Sequence, residues 1–153
     1  MSVNNFSWVI PGKLAGSAIP SFIAGVRDDA AWLAGNGVGM LVSLTMPGGY
    51  PEEECPRSGI EWIHYPIHDF GVPSEPATFA ELVGKIVAAM NKNVGVCIHC
   101  HAGIGRTGMA LSCVVGKYLS ISADQAIAAV RKARTSMETR EQEDYTRRFL
   151  DGR

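Results

Sequence analysis

Residues 94–108 read V-G-V-C-I-H-C-H-A-G-I-G-R-T-G, and the fold turns on how this stretch divides. Residues 94–99 are a short apolar run suited to a buried strand. A glycine-bearing loop follows. Beyond it Leu111, Val114, Val115, Tyr118 and Leu119 recur at helical spacing. Strand, tight loop and helix in that order gather backbone N–H groups at a helix N-terminus, where the dipole favours an anion. Inside the loop Cys100 and Arg106 stand in C-x5-R spacing. A thiolate can attack, the N–H groups of residues 101 to 106 can cradle oxyanions, and a planar guanidinium can grip two oxygens at once. That combination suits phosphoryl transfer.

Outward from this stretch, residues 38–44 and 60–67 read as further strands. Residues 6–10 and 13–19 pair around a Pro11-Gly12 turn, and residues 24–34 form a helix stopped by Gly35-Asn36-Gly37. Residues 47–59, with three Pro, three Gly and the run Glu52-Glu53-Glu54, form a surface loop. Phe79, Leu82, Val83, Ile86, Val87 and Met90 make one helical face, with Ser74 as N-cap. Ser122 with Gln125 and Thr139 with Gln142 are capping boxes for two later helices, the last turning Tyr145 and Phe149 inward. Strands alternate with helices early and helices accumulate late. The expected fold is α/β and three-layered: a small, mainly parallel sheet with helices on both faces, in a single domain over residues 1–153. The loop then lies at the carboxyl end of a central strand, where open α/β sheets place their ligands.

The 153 residues are 46% hydrophobic and 19% charged, with a formal net charge of -1. Charge is split: 4 Lys/Arg against 9 Asp/Glu in residues 1–90, and 10 against 6 in residues 91–153. A basic field around the loop would draw an anionic substrate. It does not amount to a nucleic-acid surface. The N-terminal M-S-V-N-N-F-S-W-V-I-P lacks the basic and apolar regions of a secretory signal, and no run reaches the roughly 18–20 apolar residues of a membrane span. The four cysteines do not form a small secreted disulfide framework. The expectation is a cytoplasmic, reduced monomer without membrane or nucleic-acid partners.

Other readings compete for the same residues. Gly103 to Gly108 spells G-x-G-x-x-G, but a dinucleotide site needs a second strand downstream, and three helices follow instead. Cys97-Ile98-His99-Cys100 is C-x-x-C, yet Cys97 falls inside a strand and reads as a small buried hydrophobe, as does Cys113. His99, Cys100, His101, His64 and His68 lack the spacing of a zinc site, and no metal is expected.

Residues His99 to Gly108 fill every constrained position of H-C-x-x-G-x-x-R-[ST]-G. The chain thereby resembles the cysteine-dependent protein tyrosine phosphatases. The short length, the Asp69 segment, N-F-S-W-V-I-P-G-K-L-A-G near the start and S-M-E-T-R-E-Q-E near the end resemble the small atypical dual-specificity phosphatases of the VHZ-like group. The resemblance implies Cys100 as nucleophile and a phosphate cradle of His101, Ala102, Gly103, Ile104, Gly105 and Arg106. It also implies that His99 orients the loop and that the Thr107 hydroxyl stabilises the departing thiolate. Asp69, 31 residues before Cys100 on the loop after a strand, takes the position of the family's acid. Glu138 and Gln142 fall in a stretch that the family places near its site, although the capping box already accounts for Gln142. The implied substrate is a phosphorylated protein or peptide, with no cofactor. A phosphoinositide, an RNA 5′-triphosphate or a phosphotyrosine-binding pseudophosphatase are the alternatives.

Overall fold

The computed structural model describes residues 3–20, 26–47 and 54–152. Strands β1 (Ser7–Ile10) and β2 (Leu14–Ser17) form an antiparallel pair whose turn contains Gly12 at φ 73°. A left-handed φ there costs glycine little and other residues more. Beyond β2 the sheet is parallel, joining β3 (Val38–Ser43), β4 (Glu61–His64) and β5 (Gly95–His99) in the order β1-β2-β5-β3-β4. The sheet is thus mixed, a parallel frame with one antiparallel edge, and β5 is its central strand.

Period-two alternation sends successive β5 side chains to opposite faces. Val96 and Ile98 join Leu14, Met40 and Val42 beneath α3 (Pro76–Asn91), α4 (Gly105–Leu119), α5 (Ala123–Ala133) and α6 (Arg140–Asp151). Cys97 joins Ala15 and Leu41 on the other face. There Leu33 of α1 (Val26–Gly35) and Cys55 of the short α2 (Glu54–Arg57) cover it. Each large aliphatic side chain so buried contributes roughly 1.5–3 kcal/mol. Helix α4 is buried from Gly105 to Gly116, because sheet, α3, α5 and α6 enclose it. A Cβ on Gly116 would collide with Leu150 of α6, so glycine there permits the close approach.

Several boundaries differ from those read in the sequence. Strand β2 ends at Ser17 rather than residue 19, because Ala18 N–H bonds to Asn4 and Ile19 N–H bonds to the His101 carbonyl. Strand β4 ends before Pro66, which has no N–H to give the ladder. Ser74 does not cap α3: the cap position is Glu75, without a side-chain bond. Pro76 stands at the helix start, where its missing N–H needs no partner. Residues 47–59 are not all loop, since α2 seats Cys55 in the core; Glu52 and Glu53 lie outside the described residues. Both capping boxes form, Ser122 with Gln125 and Thr139 with Gln142. Tyr145 is buried and stacks with Phe149 against Phe79.

Candidate active site

Cys100 follows β5 and is 2% exposed, and residues 101–104 carry the chain into α4. Every carbonyl of this turn is taken. Cys100 O accepts from His99 Nδ1 and His101 O from Ile19 N–H. Ala102 O accepts from Asn5 Nδ2 (3.1 Å), and Gly103 O from Arg134 Nη2 (2.7 Å). Ile104 O accepts from Gly108 N–H and Met137 N–H. The peptides of the described residues are all trans, so the N–H groups of residues 101–105 point away from those partners. The sequence folds this way because Gly103 adopts φ 80°, and a Cβ there would run into the Ser17 backbone. A turn whose carbonyls are all engaged elsewhere presents its donors as a group, which is what an oxyanion nest requires.

Arg106, in the first turn of α4, is 4% exposed. Its Nη1 donates to Ile67 O at 2.9 Å and its Nη2 stands 3.2 Å from Asp69 Oδ1. Its Nε is buried without a partner, and so is Thr107 Oγ1. Asp69 lies past the end of β4, its side chain 56% exposed, and its Oδ1 also accepts from Phe70 N–H. Gly71 N–H closes the turn onto His68 O, and Phe70 takes φ 62° at the exposed tip.

The structure therefore brings Cys100, Arg106, Thr107 and His99 to one strand–helix junction and ties Asp69 to it through Arg106. His101 and Ala102 are exposed at the rim, Ile104 is half-buried, and Gly103 and Gly105 are buried. His99 is fully buried, and desolvation pushes its pKa down to about 4. Burial pushes the Cys97 thiol up to about 11 and the Cys113 thiol up to about 12, so neither is an ionised nucleophile near neutrality. None of the four cysteines is in a disulfide. Among the described residues no group of three or more His, Cys, Asp or Glu is placed to hold a metal. A cavity of about 640 Å³ between Val83, Lys117 and Phe149 includes none of these site residues.

Two contributors escaped the sequence reading. Arg134 is 7% exposed and holds Gly16 O, Ser7 Oγ and Gly103 O together, pinning the loop to β1 and β2. Nothing in R-K-A-R distinguishes it from its solvent-facing neighbours. Asn5 supports Ala102 from a turn just ahead of β1. Gln142, which the family resemblance set near the site, closes its capping box and also donates to Gly71 O at 3.3 Å, so it reaches the Asp69 turn. Glu138 is exposed, but its Oε1 lies where a Cβ on Gly105 would stand.

Residues 15–118 match the family described as "Polymorphic toxin system, DSP-PTPase phosphatase". The chain is 30% identical over 159 aligned positions to mouse protein tyrosine phosphatase domain-containing protein 1, covering 94% of this chain and 21% of that protein. It is 27% identical over 139 positions to putative tyrosine phosphatase 067L of invertebrate iridescent virus 3, covering 84% and 53%. The chain thus spans from a fifth to about half the length of these relatives. Among solved structures, Tk-PTP in its active form superposes at TM-score 0.84 with 25% identity, covering 96% of this chain and 97% of that one. Kinase associated phosphatase, with its catalytic-site cysteine replaced by serine, shares the fold at TM-score 0.81 and 23% identity, covering 98% and 96%.

Proposed function

The chain belongs to the DSP-PTPase phosphatase family, and on that premise we propose that it hydrolyses phosphotyrosine in proteins, together with phosphoserine and phosphothreonine, through a phosphocysteine at Cys100. The Cys100 thiolate attacks phosphorus; an S–P bond forms as the ester P–O bond breaks. Asp69 gives its proton to the departing oxygen. Water then attacks phosphorus, Asp69 takes a proton from it, and the S–P bond breaks to release inorganic phosphate. The Thr107 hydroxyl donates to the returning thiolate. Arg106 and the N–H groups of residues 101–105 hold the equatorial oxygens throughout, and residues 1–153 act as one phosphatase domain.

The observation that carries this reading is the engagement of every loop carbonyl by a protein partner, which leaves a ring of donors behind Cys100. The buried, unpartnered Arg106 Nε and Thr107 Oγ1 supply two more. Preorganised donors of this kind stabilise charge that develops on transferring oxygens. The Asp69–Arg106 pair supports a coupled role: phosphate and carboxylate draw on one guanidinium, so an arriving phosphate releases Asp69 toward the leaving group. The exposed rim at His101 and Ala102 supports a shallow cleft that admits phosphoserine as well as phosphotyrosine. The absence of a lysine from residues 101–105 disfavours a highly charged lipid headgroup.

The test is phosphate release from a phosphotyrosine peptide, a phosphothreonine peptide, a 3-phosphoinositide and triphosphate-ended RNA, with wild type and Cys100→Ser. Release from the peptides that vanishes in Cys100→Ser is expected. Release from lipid or RNA alone would overturn the substrate, and phosphopeptide binding without release would make the protein a binding module.

A further inference from the structure

Behind the loop a line of hydrogen bonds crosses three strands and ends on the Cys100 backbone. Trp62 of β4 donates its indole N–H to Ser43 Oγ of β3 at 2.8 Å. Ser43 Oγ lies 2.5 Å from Nε2 of His99 on β5, and His99 Nδ1 lies 3.1 Å from Cys100 O. The parallel ladder sets the spacing, since Ser43 pairs with His99 on one side and His64 on the other.

Chemistry fixes the direction of this line. A carbonyl only accepts, so the proton of His99 is on Nδ1. An indole only donates, so Ser43 receives Trp62 on a lone pair and has its own hydrogen left for Nε2. With the proton moved to Nε2, a bare Nδ1 would face the lone pairs of Cys100 O. With both nitrogens protonated, Ser43 would meet two donors and its hydrogen would have no acceptor here. Burial disfavours that charged ring further, as do Arg106 of α4 and His64 of β4, the charges that act on it. Ser43 and His99 are both fully buried, so bulk water does not substitute for a lost link.

We propose that Ser43 and Trp62 are positioning residues for the phosphatase reaction: they hold His99 as the neutral Nδ1–H form, which fixes the Cys100 carbonyl and the first N–H of the oxyanion nest. The proposal rests on the reading of Cys100 as the nucleophile. The consequence is geometric. Because the peptide is planar, holding Cys100 O also aims the His101 N–H, and it sets the direction in which the chain leaves β5. Among the described residues, His99 is the partner that holds this carbonyl, whereas the next four are held by Ile19, Asn5, Arg134, Gly108 and Met137.

The experiment uses Ser43→Ala, Ser43→Thr and Trp62→Phe, the last removing the N–H and keeping an aromatic ring over His64. Three readouts are taken: the His99 tautomer by long-range 1H–15N correlation, the iodoacetamide alkylation rate of the Cys100 peptide at pH 7, and kcat/KM on an aryl phosphate. Ser43→Ala should populate the Nε2–H tautomer and slow both alkylation and kcat/KM by about tenfold. Ser43→Thr should restore both, and Trp62→Phe should slow them by about threefold. Should Ser43→Ala fail to fold, Trp62→Phe decides on the same readouts. A folded Ser43→Ala, or Trp62→Phe in its place, that keeps the Nδ1–H signature and the wild-type alkylation rate overturns the proposal. Neither of those two readouts needs turnover, so a wild type that releases no phosphate would contradict the phosphatase reading and not the relay.

Discussion

Two turns hang from the carboxyl ends of parallel strands in this molecule, and they are built in opposite ways. The turn after β5 holds Cys100 and is anchored at every carbonyl, by partners as distant in sequence as Asn5 and Met137. Its central glycine is wedged against the Ser17 backbone, and Arg106 beneath it is almost wholly buried. The turn after β4 holds Asp69 and is exposed at its tip. Apart from its own short-range bonds, Arg106 and Gln142 hold it. The first arrangement is a rigid receptor whose cost of ordering is met during folding. The second opens at low free energy, as expected of a segment with few buried contacts. A phosphatase needs both: fixed donors for charge that forms in place, and an acid that approaches a substrate and then makes way for water.

The contrast is broken most severely at Arg106. Arg106→Lys keeps the charge but loses the fork and the Nη1 bond to Ile67 O. We expect kcat/KM on an aryl phosphate to fall about 10³-fold. A loss below tenfold would mean that the guanidinium geometry is incidental.

Asp69→Asn probes the exposed turn. Turnover of an ester with a poor leaving group should fall about 10²-fold, whereas one with a good leaving group should be nearly unaffected. Its unfolding midpoint should match that of wild type, because the carboxylate is more than half exposed and such pairs add little to stability. Equal loss on both esters would remove Asp69 from proton transfer. A large fall in midpoint would mean that the two turns are not as different as described.

The rigid turn also makes a pH prediction. His99 is held neutral, its pKa down at about 4 against an ordinary 6.5. Between these values the unfolded chain binds the proton and the folded chain does not. Stability from this site is therefore complete above pH 6.5 and is lost as pH falls toward 4, by about 3 kcal/mol at most. Urea unfolding at pH 7 and pH 4.5 should show the loss in wild type and a smaller one in His99→Gln. Equal losses in both proteins would refute the assignment.

How much of this was legible in the sequence follows from distance along the chain. C-x5-R, the flanking strand and the helix are local, so one short stretch specifies the proposed anion site, and β5 does occupy the centre of the sheet. The helix faces and both capping boxes are likewise three- and four-residue signals. Asp69 was reachable by its place after a strand, aided by the family resemblance. Arg134 on Gly103, Asn5 on Ala102 and Ser43 on His99 are separated by 31, 97 and 56 residues, and only the folded sheet brings them together. A buried arginine at the end of α5 looks in sequence like any basic residue in a last turn. The antiparallel edge at β1 was implied by the Pro11-Gly12 turn, while Cys55 in α2 was hidden inside a stretch that reads as loop.

The central claim is a covalent phosphocysteine at Cys100. The direct measurement mixes the enzyme with a 32P-labelled aryl phosphate, quenches in detergent within milliseconds and maps the labelled peptide. Label on the peptide containing Cys100, absent in Cys100→Ser, is the expected result. Turnover without labelled peptide, or turnover that survives in Cys100→Ser, would contradict the account.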